Sequence, residues 1–236
     1  MHYSVLVIAK PEDDLDSLLY LFDANRICEK HIIRTRKEVI DCEKDYQKKV
    51  ANGEYEFNNP DYKKKLLSAK TDEEFLELGK DDYFMYDEDG NEWSDRNELG
   101  RYDWYELGGR WSGYMHRKDG SECNYCKISE LSTKVSKEDY DKAIRFWEVL
   151  IDKEELLPGE TPPNTFYNED YYKRLYEDKY DYARCTASFL THSIVYNGDW
   201  KEASDFGSYG QYLEYTNDII ERVPENYIVY VVDCHY

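Results

Sequence analysis

The chain opens on a nearly unbroken apolar run, Tyr3 to Ala9 (YSVLVIA), and closes on a second, Tyr227 to Tyr236 (YIVYVVDCHY). Short runs that are apolar at both odd and even positions read as strands covered on both faces, the environment of central strands in a sheet. Between them the pattern switches repeatedly to helical spacing. Pro11 ends the first run and starts an acidic helix with Leu15, Leu18, Leu19 and Phe22 along one side. His31 to Arg34 predicts a short strand. Thr35 to Val50 predicts a helix, with Thr35 and Glu38 placed as a capping box. Asn59-Pro60 and Thr71-Asp72 each open a further short helix. Ser136 caps an amphipathic helix reaching Asp152, with Tyr140, Ile144, Trp147 and Ile151 on one face. Leu157 to Thr165 reads as a loop, Asn168 to Arg184 as a helix, and Ala187 to Tyr196 as a strand that turns at Asn197-Gly198 into Trp200. Tyr212 to Arg222 predicts the last helix.

Strands interrupted by helices, with apolar runs at both ends, predict an α+β fold. The expected architecture is a single mixed sheet with central N- and C-terminal strands and helices packed on its faces. No linker or internal repeat divides the 236 residues, so one domain over 1–236 is expected. An acidic, insertion-like hairpin region falls at about 81–106, where Asp89-Gly90 supplies the turn.

Charge changes the picture. The net charge is −20, a field that repels phosphate backbones and argues against non-specific nucleic-acid binding. It leaves room for a small anion held by a few local donors, because a distant field is screened. No stretch approaches a membrane span, and no long apolar run follows Met1, so the expected setting is the cytoplasm. The six cysteines are then expected as reduced thiols. Tyrosine, with 25 copies, supplies rings that suit cores, clefts and stacking surfaces alike.

The sharpest local signal is Trp104-Tyr105-Glu106-Leu107-Gly108-Gly109-Arg110-Trp111. Two glycines allow backbone N–H groups to converge on an anion, and Arg110 can add a bidentate fork. Trp104, Tyr105 and Trp111 could stack on a base. The structural alternative is a bulge whose tryptophans pack inward and whose Arg110 pairs with Asp103 or Glu106. Asp233 and His235 share one face of the last strand, and His2 begins the first, so imidazole and carboxylate could act together. His2-Tyr3-Ser4 matches half of a two-histidine phosphodiesterase signature, but no other histidine has Ser or Thr two residues on. Cys123 and Cys126 have metal-ligand spacing without a second pair. Asp87, Asp89, Asn91 and Glu98 fall at calcium-loop spacing, with the glycine misplaced. Neither group is assigned a metal, and no cofactor is expected.

Met1-His2-Tyr3-Ser4, the stretch DEDGNEW, the block YDWYELGGRWSG, the later NGDW and the terminal VVDCHY occur in that order. Together they resemble a widespread phage and prophage protein family without an agreed activity. The resemblance implies a role in countering host defence.

Three functions follow as expectations. The first is a binding protein that sequesters a small anionic, nucleotide-like signal. Gly108, Gly109 and Arg110 would hold its phosphate, Trp104, Tyr105 and Trp111 its base, and His2 or His235 would add polar contacts. The second is a small-nucleotide phosphodiesterase or hydrolase using His235 with Asp233, and His2. The third is an acidic inhibitor of a basic host protein, presenting the 81–106 stretch.

Overall fold

The computed structural model describes residues 1–81 and 84–236, and the chain divides into two compact units. Where one continuous domain was expected, residues 24–100 form a unit of their own, a longer excursion than the acidic hairpin region. Residues 1–23 and 101–236 form the other.

The larger unit is built on a mixed sheet. Its strands are β1 (His2–Ala9), β5 (Trp104–Leu107), β8 (Tyr125–Lys127), β9 (Ser193–Tyr196), β10 (Asp199–Glu202) and β11 (Ile228–His235). β1 is central, parallel to β9 on one side and antiparallel to β11 on the other, so the first and last strands are neighbours in the sheet interior. The β1–β11 register runs from His2 opposite His235 to Ala9 opposite Ile228. β11 is flanked on its far side by two short strands in succession: β8 pairs residues 228–230 and β5 pairs residues 232–235. At the handover, the Val231 C=O accepts the Gly108 N–H at 2.8 Å, and the Val231 N–H donates to the Asn124 C=O at 2.9 Å.

Both faces of the sheet are covered, which is why the two terminal runs are apolar at nearly every position. On one face, Leu6, Ile8, Ile194, Val229 and Val231 pack with Tyr212 and Ile220 of α8 (Tyr209–Arg222). On the other, Val5, Val7, Val195, Val232 and Cys234 pack with Leu19 of α1 (Leu15–Leu19), Phe22 and Tyr102. Burying a Val or Leu side chain contributes about 1.5–3 kcal/mol, so these layers hold the strands in one register.

The helix forecasts stand with local corrections. α5 (Lys137–Leu150) starts at its Ser136 cap. The single helix expected over 168–184 is two, α6 (Glu169–Leu175) and α7 (Lys179–Ala187). The Asp178 carboxylate caps the second by accepting the Tyr180 and Asp181 N–H groups, so the chain restarts there. α7 therefore runs into the stretch expected as strand, and β9 begins only at Ser193.

The 24–100 unit pairs a three-stranded antiparallel sheet, β2 (Ile27–Arg34), β4 (Glu92–Arg96) and β3 (Met85–Tyr86), with α2 (Arg36–Ala51), α3 (Pro60–Ser68) and α4 (Asp72–Gly79). Thr35 and Thr71 both form full capping boxes, and Asn59 caps the helix opened by Pro60. Val39, Ile40, Leu66, Phe75 and Leu76 form its core. Glu92, only 1% exposed, is neutralised by the Arg34 guanidinium, whose Nε donates to it at 2.8 Å. Asp87 accepts the Asn91 backbone and side-chain N–H groups and so serves a hairpin turn, whereas Glu98 lies 3.2 Å from the His31 ring. No described helix is long and apolar enough to cross a membrane.

The Leu157–Thr165 loop is pinned by one ion pair. Arg145 of α5 donates from Nε and Nη2 to Glu160 at 2.9 and 2.7 Å, and Glu160 also accepts the Leu157 N–H. These donors hold the Glu160 carboxyl at about 2, below its ordinary value of 4.5. A lowered folded-state value means stabilisation that is complete above the unfolded value and lost as pH falls through the folded one. Melting curves of wild type and Glu160→Gln should therefore differ at pH 6 and converge as pH drops from about 4.5 toward 2. A gap that stayed constant with pH would show that Glu160 contributes through packing alone.

Candidate functional site

At one end of the first sheet face the apolar pattern gives way to polar groups. β1, β11 and β5 place His2, His235 and Trp104 side by side in register, and in the next row Ser4, Asp233 and Glu106. Strand alternation puts all six on one face.

Asp233 is the centre of this group and is 1% exposed. Its Oδ1 lies 3.1 Å from Nδ1 of His2, and its Oδ2 accepts the Arg110 backbone N–H at 3.0 Å. An ionised carboxylate can only accept, so Nδ1 of His2 carries hydrogen and Nε2 is left for a ligand. A second pair repeats the arrangement at the rim, where Nδ1 of His235 lies 2.8 Å from Asp103 Oδ1. That hydrogen bond holds the Asp103 carboxyl below its ordinary value. The two imidazoles meet edge to face with centroids 4.9 Å apart. Trp104 stacks nearly parallel on His235, at 5.6 Å and 15°, and meets His2 edge-on at 5.4 Å.

The glycine turn has a role different from the expected phosphate nest. Three of its backbone donors are already engaged: Gly108 N–H to the Val231 carbonyl, Arg110 N–H to Asp233, and Trp111 N–H to the Gly108 carbonyl. The anion cradled by the turn is the protein's own Asp233. Both glycines are also required by close approach. A Cβ at Gly109 would lie 2.5 Å from the Asp233 Cβ, and one at Gly108 would lie 2.3 Å from Asn124 Nδ2, with φ of 47° and 75°. Asn124 is in turn tied to the turn's far side, its Oδ1 accepting the Gly113 N–H at 3.2 Å.

The expected ligand-binding residues therefore separate. His2, His235 and Trp104 belong to one surface with Asp233, and Arg110 reaches it through its backbone N–H. Arg110 is exposed, and among the described residues its guanidinium has neither hydrogen bond nor ion pair, so it does not pair with Asp103 or Glu106. Tyr105 points to the opposite face, packs with the Val5 and Val7 layer and hydrogen-bonds Asp16. It adjoins Trp104 on a strand, and period-two alternation excludes a shared face. Trp111 packs against the Leu6 and Ile8 core, with its indole N–H buried and unpartnered. The pairing of His235 with Asp233 is also corrected: Asp233 serves His2, and His235 takes Asp103. Asp103 and Asn124 carry no motif of their own; only the β5–β11 register and the contact at Gly108 bring them in. Among the described residues no cluster of three or more His, Cys, Asp or Glu could hold a metal ion.

A separate groove of about 880 Å³ in the same unit includes Arg117, Lys118 and Lys137. Three of the groove's four lysine and arginine side chains are spent locally, on the Tyr125 carbonyl, the Ser129 carbonyl and Asp141, with Lys134 the fourth, which leaves the paired imidazoles as the better candidate site.

Comparison with protein-family models, with curated proteins and with solved structures finds no match to this chain.

Gly109→Ala should destabilise the larger unit by about 2–4 kcal/mol, combining a positive φ with a core-type overlap at Asp233. Gly120 shares a positive φ but has open space around it, so Gly120→Ala should cost only about 1–2 kcal/mol. Urea denaturation of the two variants checks the difference, and equal losses would show that backbone conformation, and not Asp233, fixes the need for Gly109.

Proposed function

We propose that the chain is a hydrolase of small, anionic, nucleotide-like phosphate esters. One observation carries the reading: two imidazoles, each with its Nδ1 on a carboxylate, meet with centroids 4.9 Å apart. Phosphate ester cleavage needs two proton transfers, one from the attacking water and one to the departing oxygen. One neutral imidazole takes the first proton at Nε2 while the water oxygen bonds to phosphorus. The other, protonated, gives its proton at Nε2 as the phosphorus–oxygen bond to the leaving group breaks. The Arg110 guanidinium supplies charge stabilisation for the phosphoryl oxygens. Trp104, 45% exposed, offers indole surface to a base. The motif resemblance to phage proteins makes removal of a host immune nucleotide a fitting role, by association only.

A second reading is sequestration without turnover. It is favoured by the same exposed Trp104 and by the unpaired, exposed Arg110 guanidinium, which suffice for stacking and charge even if no bond is broken.

One experiment separates them. The protein is incubated with cyclic di- and trinucleotides and with NAD-derived nucleotides, then denatured, and the released compounds are chromatographed. Hydrolysis predicts products, with His2→Ala and His235→Ala each slowing turnover about 10²–10⁴-fold. Sequestration predicts intact ligand, a stabilisation of ~2.7 kcal/mol at 100 times the dissociation constant, and an affinity loss of about 1.5–3 kcal/mol in Arg110→Ala. Neither product nor a shift in melting temperature with any nucleotide would defeat both readings.

A further inference from the structure

Cys123 and Cys126 bracket the residue on which the glycine turn rests. Cys123 ends β7 (Glu122–Cys123), Cys126 lies in β8 against Val229, and Asn124 sits between them. Cys126 is buried in the Leu6 core, and Cys123, partly exposed, packs against the same core. No disulfide joins them.

Asn124 makes four contacts that place the turn. Its backbone carbonyl accepts the Val231 N–H at 2.9 Å, its Oδ1 accepts the Gly113 N–H, its Nδ2 donates to Ser112 Oγ at 3.1 Å, and its amide lies directly over Gly108. The turn in turn delivers the Arg110 N–H to Asp233, and Asp233 orients His2. A covalent link between residues 123 and 126 would fix their sulfurs about 2.0 Å apart and constrain the short stretch between them, which contains Asn124.

We propose that Cys123 and Cys126 are a reversible thiol–disulfide modification site that regulates the paired-histidine site through Asn124. The oxidant is a small-molecule disulfide. The Cys123 thiolate attacks it, forming a mixed disulfide and releasing one thiol. The Cys126 thiolate then attacks the Cys123 sulfur, forming the internal bond and releasing the second thiol. Two protein thiols are oxidised and one external disulfide is reduced to two thiols. Cys123 reacts first because it is the exposed member. Burial and the adjacent thiol push Cys126 up to about 12, so it attacks only the neighbouring mixed disulfide, where proximity offsets its small thiolate fraction.

The inference rests on the functional reading only for the activity it regulates, and its test reads the chemistry separately. Wild type is incubated with glutathione disulfide, and non-reducing peptide mapping locates the bond. Histidine side-chain NMR signals, assigned by substitution, follow His2 and His235. Expected results are a 123–126 crosslink, displaced His2 and His235 signals, and restoration of both by dithiothreitol. Where a nucleotide substrate is turned over, oxidation should slow it about tenfold or more, the scale on which outer partners of a site act. Cys126 is part of the core, so Cys123→Ser carries the control: it should show no internal crosslink and no change in the histidine signals. Failure to crosslink, or a crosslink that leaves both histidine signals in place, overturns the proposal. Absence of turnover in the reduced protein would count against hydrolysis alone and leave the crosslink and NMR results standing.

Discussion

The site depends on burying the carboxylate of Asp233. An ionised carboxylate removed from water costs several kcal/mol unless its oxygens find donors. Here one oxygen takes the His2 ring and the other the Arg110 backbone N–H. The second contact requires main chain to come within a hydrogen bond of a side chain already enclosed by strands. Only a residue without Cβ can precede Arg110 at that spacing, and the turn that brings it there needs Gly108 to pass beneath Asn124. The glycine pair, the engaged amides and the fixed tautomer of His2 all follow from satisfying one buried charge.

The two imidazoles are held unequally, and the difference bears on chemistry. His2 faces a carboxylate sealed from solvent, whereas His235 faces Asp103 at the rim. A sealed partner is screened little by salt and an exposed one is screened strongly. The two rings thus sit in different electrostatic settings although they touch. Acid–base chemistry needs this kind of division, because one ring must hold a proton while its neighbour lacks one.

Much of the frame was legible in the sequence, because it rests on signals that act locally. The two apolar terminal runs mark central strands, and Thr35, Thr71, Asn59 and Ser136 mark helix starts through caps that involve only the next few residues. Asp178 was missed because its capping interrupts a run whose apolar spacing continues across it. In the site, His2, Asp233 and His235 could be placed by strand parity alone. The partner of His235 could not, because Asp103 is 132 residues away and meets it only through the β5–β11 register. The aromatic block was over-read: Trp104 and Tyr105 lie on a strand and face opposite ways, and Trp111 turns into the core. Asn124 left no trace in the sequence because its role lies in shape, filling the space above a missing side chain.

The separation between His2 and Asp233 is 231 positions, and it sets an order of assembly. Residues 24–100 are contiguous, so that unit has all its parts early in synthesis. The central sheet does not: β1 precedes both its partners, β9 and β11, by most of this chain, and both its long edges are unpaired until they are made. At about 5–20 residues per second the wait is on the order of ten seconds or more. Until then an apolar strand edge is open to a chaperone or to a neighbouring nascent chain. Loops that long close slowly, and so the imidazole–carboxylate pair forms later than the locally paired elements between its two halves. A chain stopped before residue 228 carries the first histidine but no centre, so synthesis of the β11 segment is the event that switches the site on.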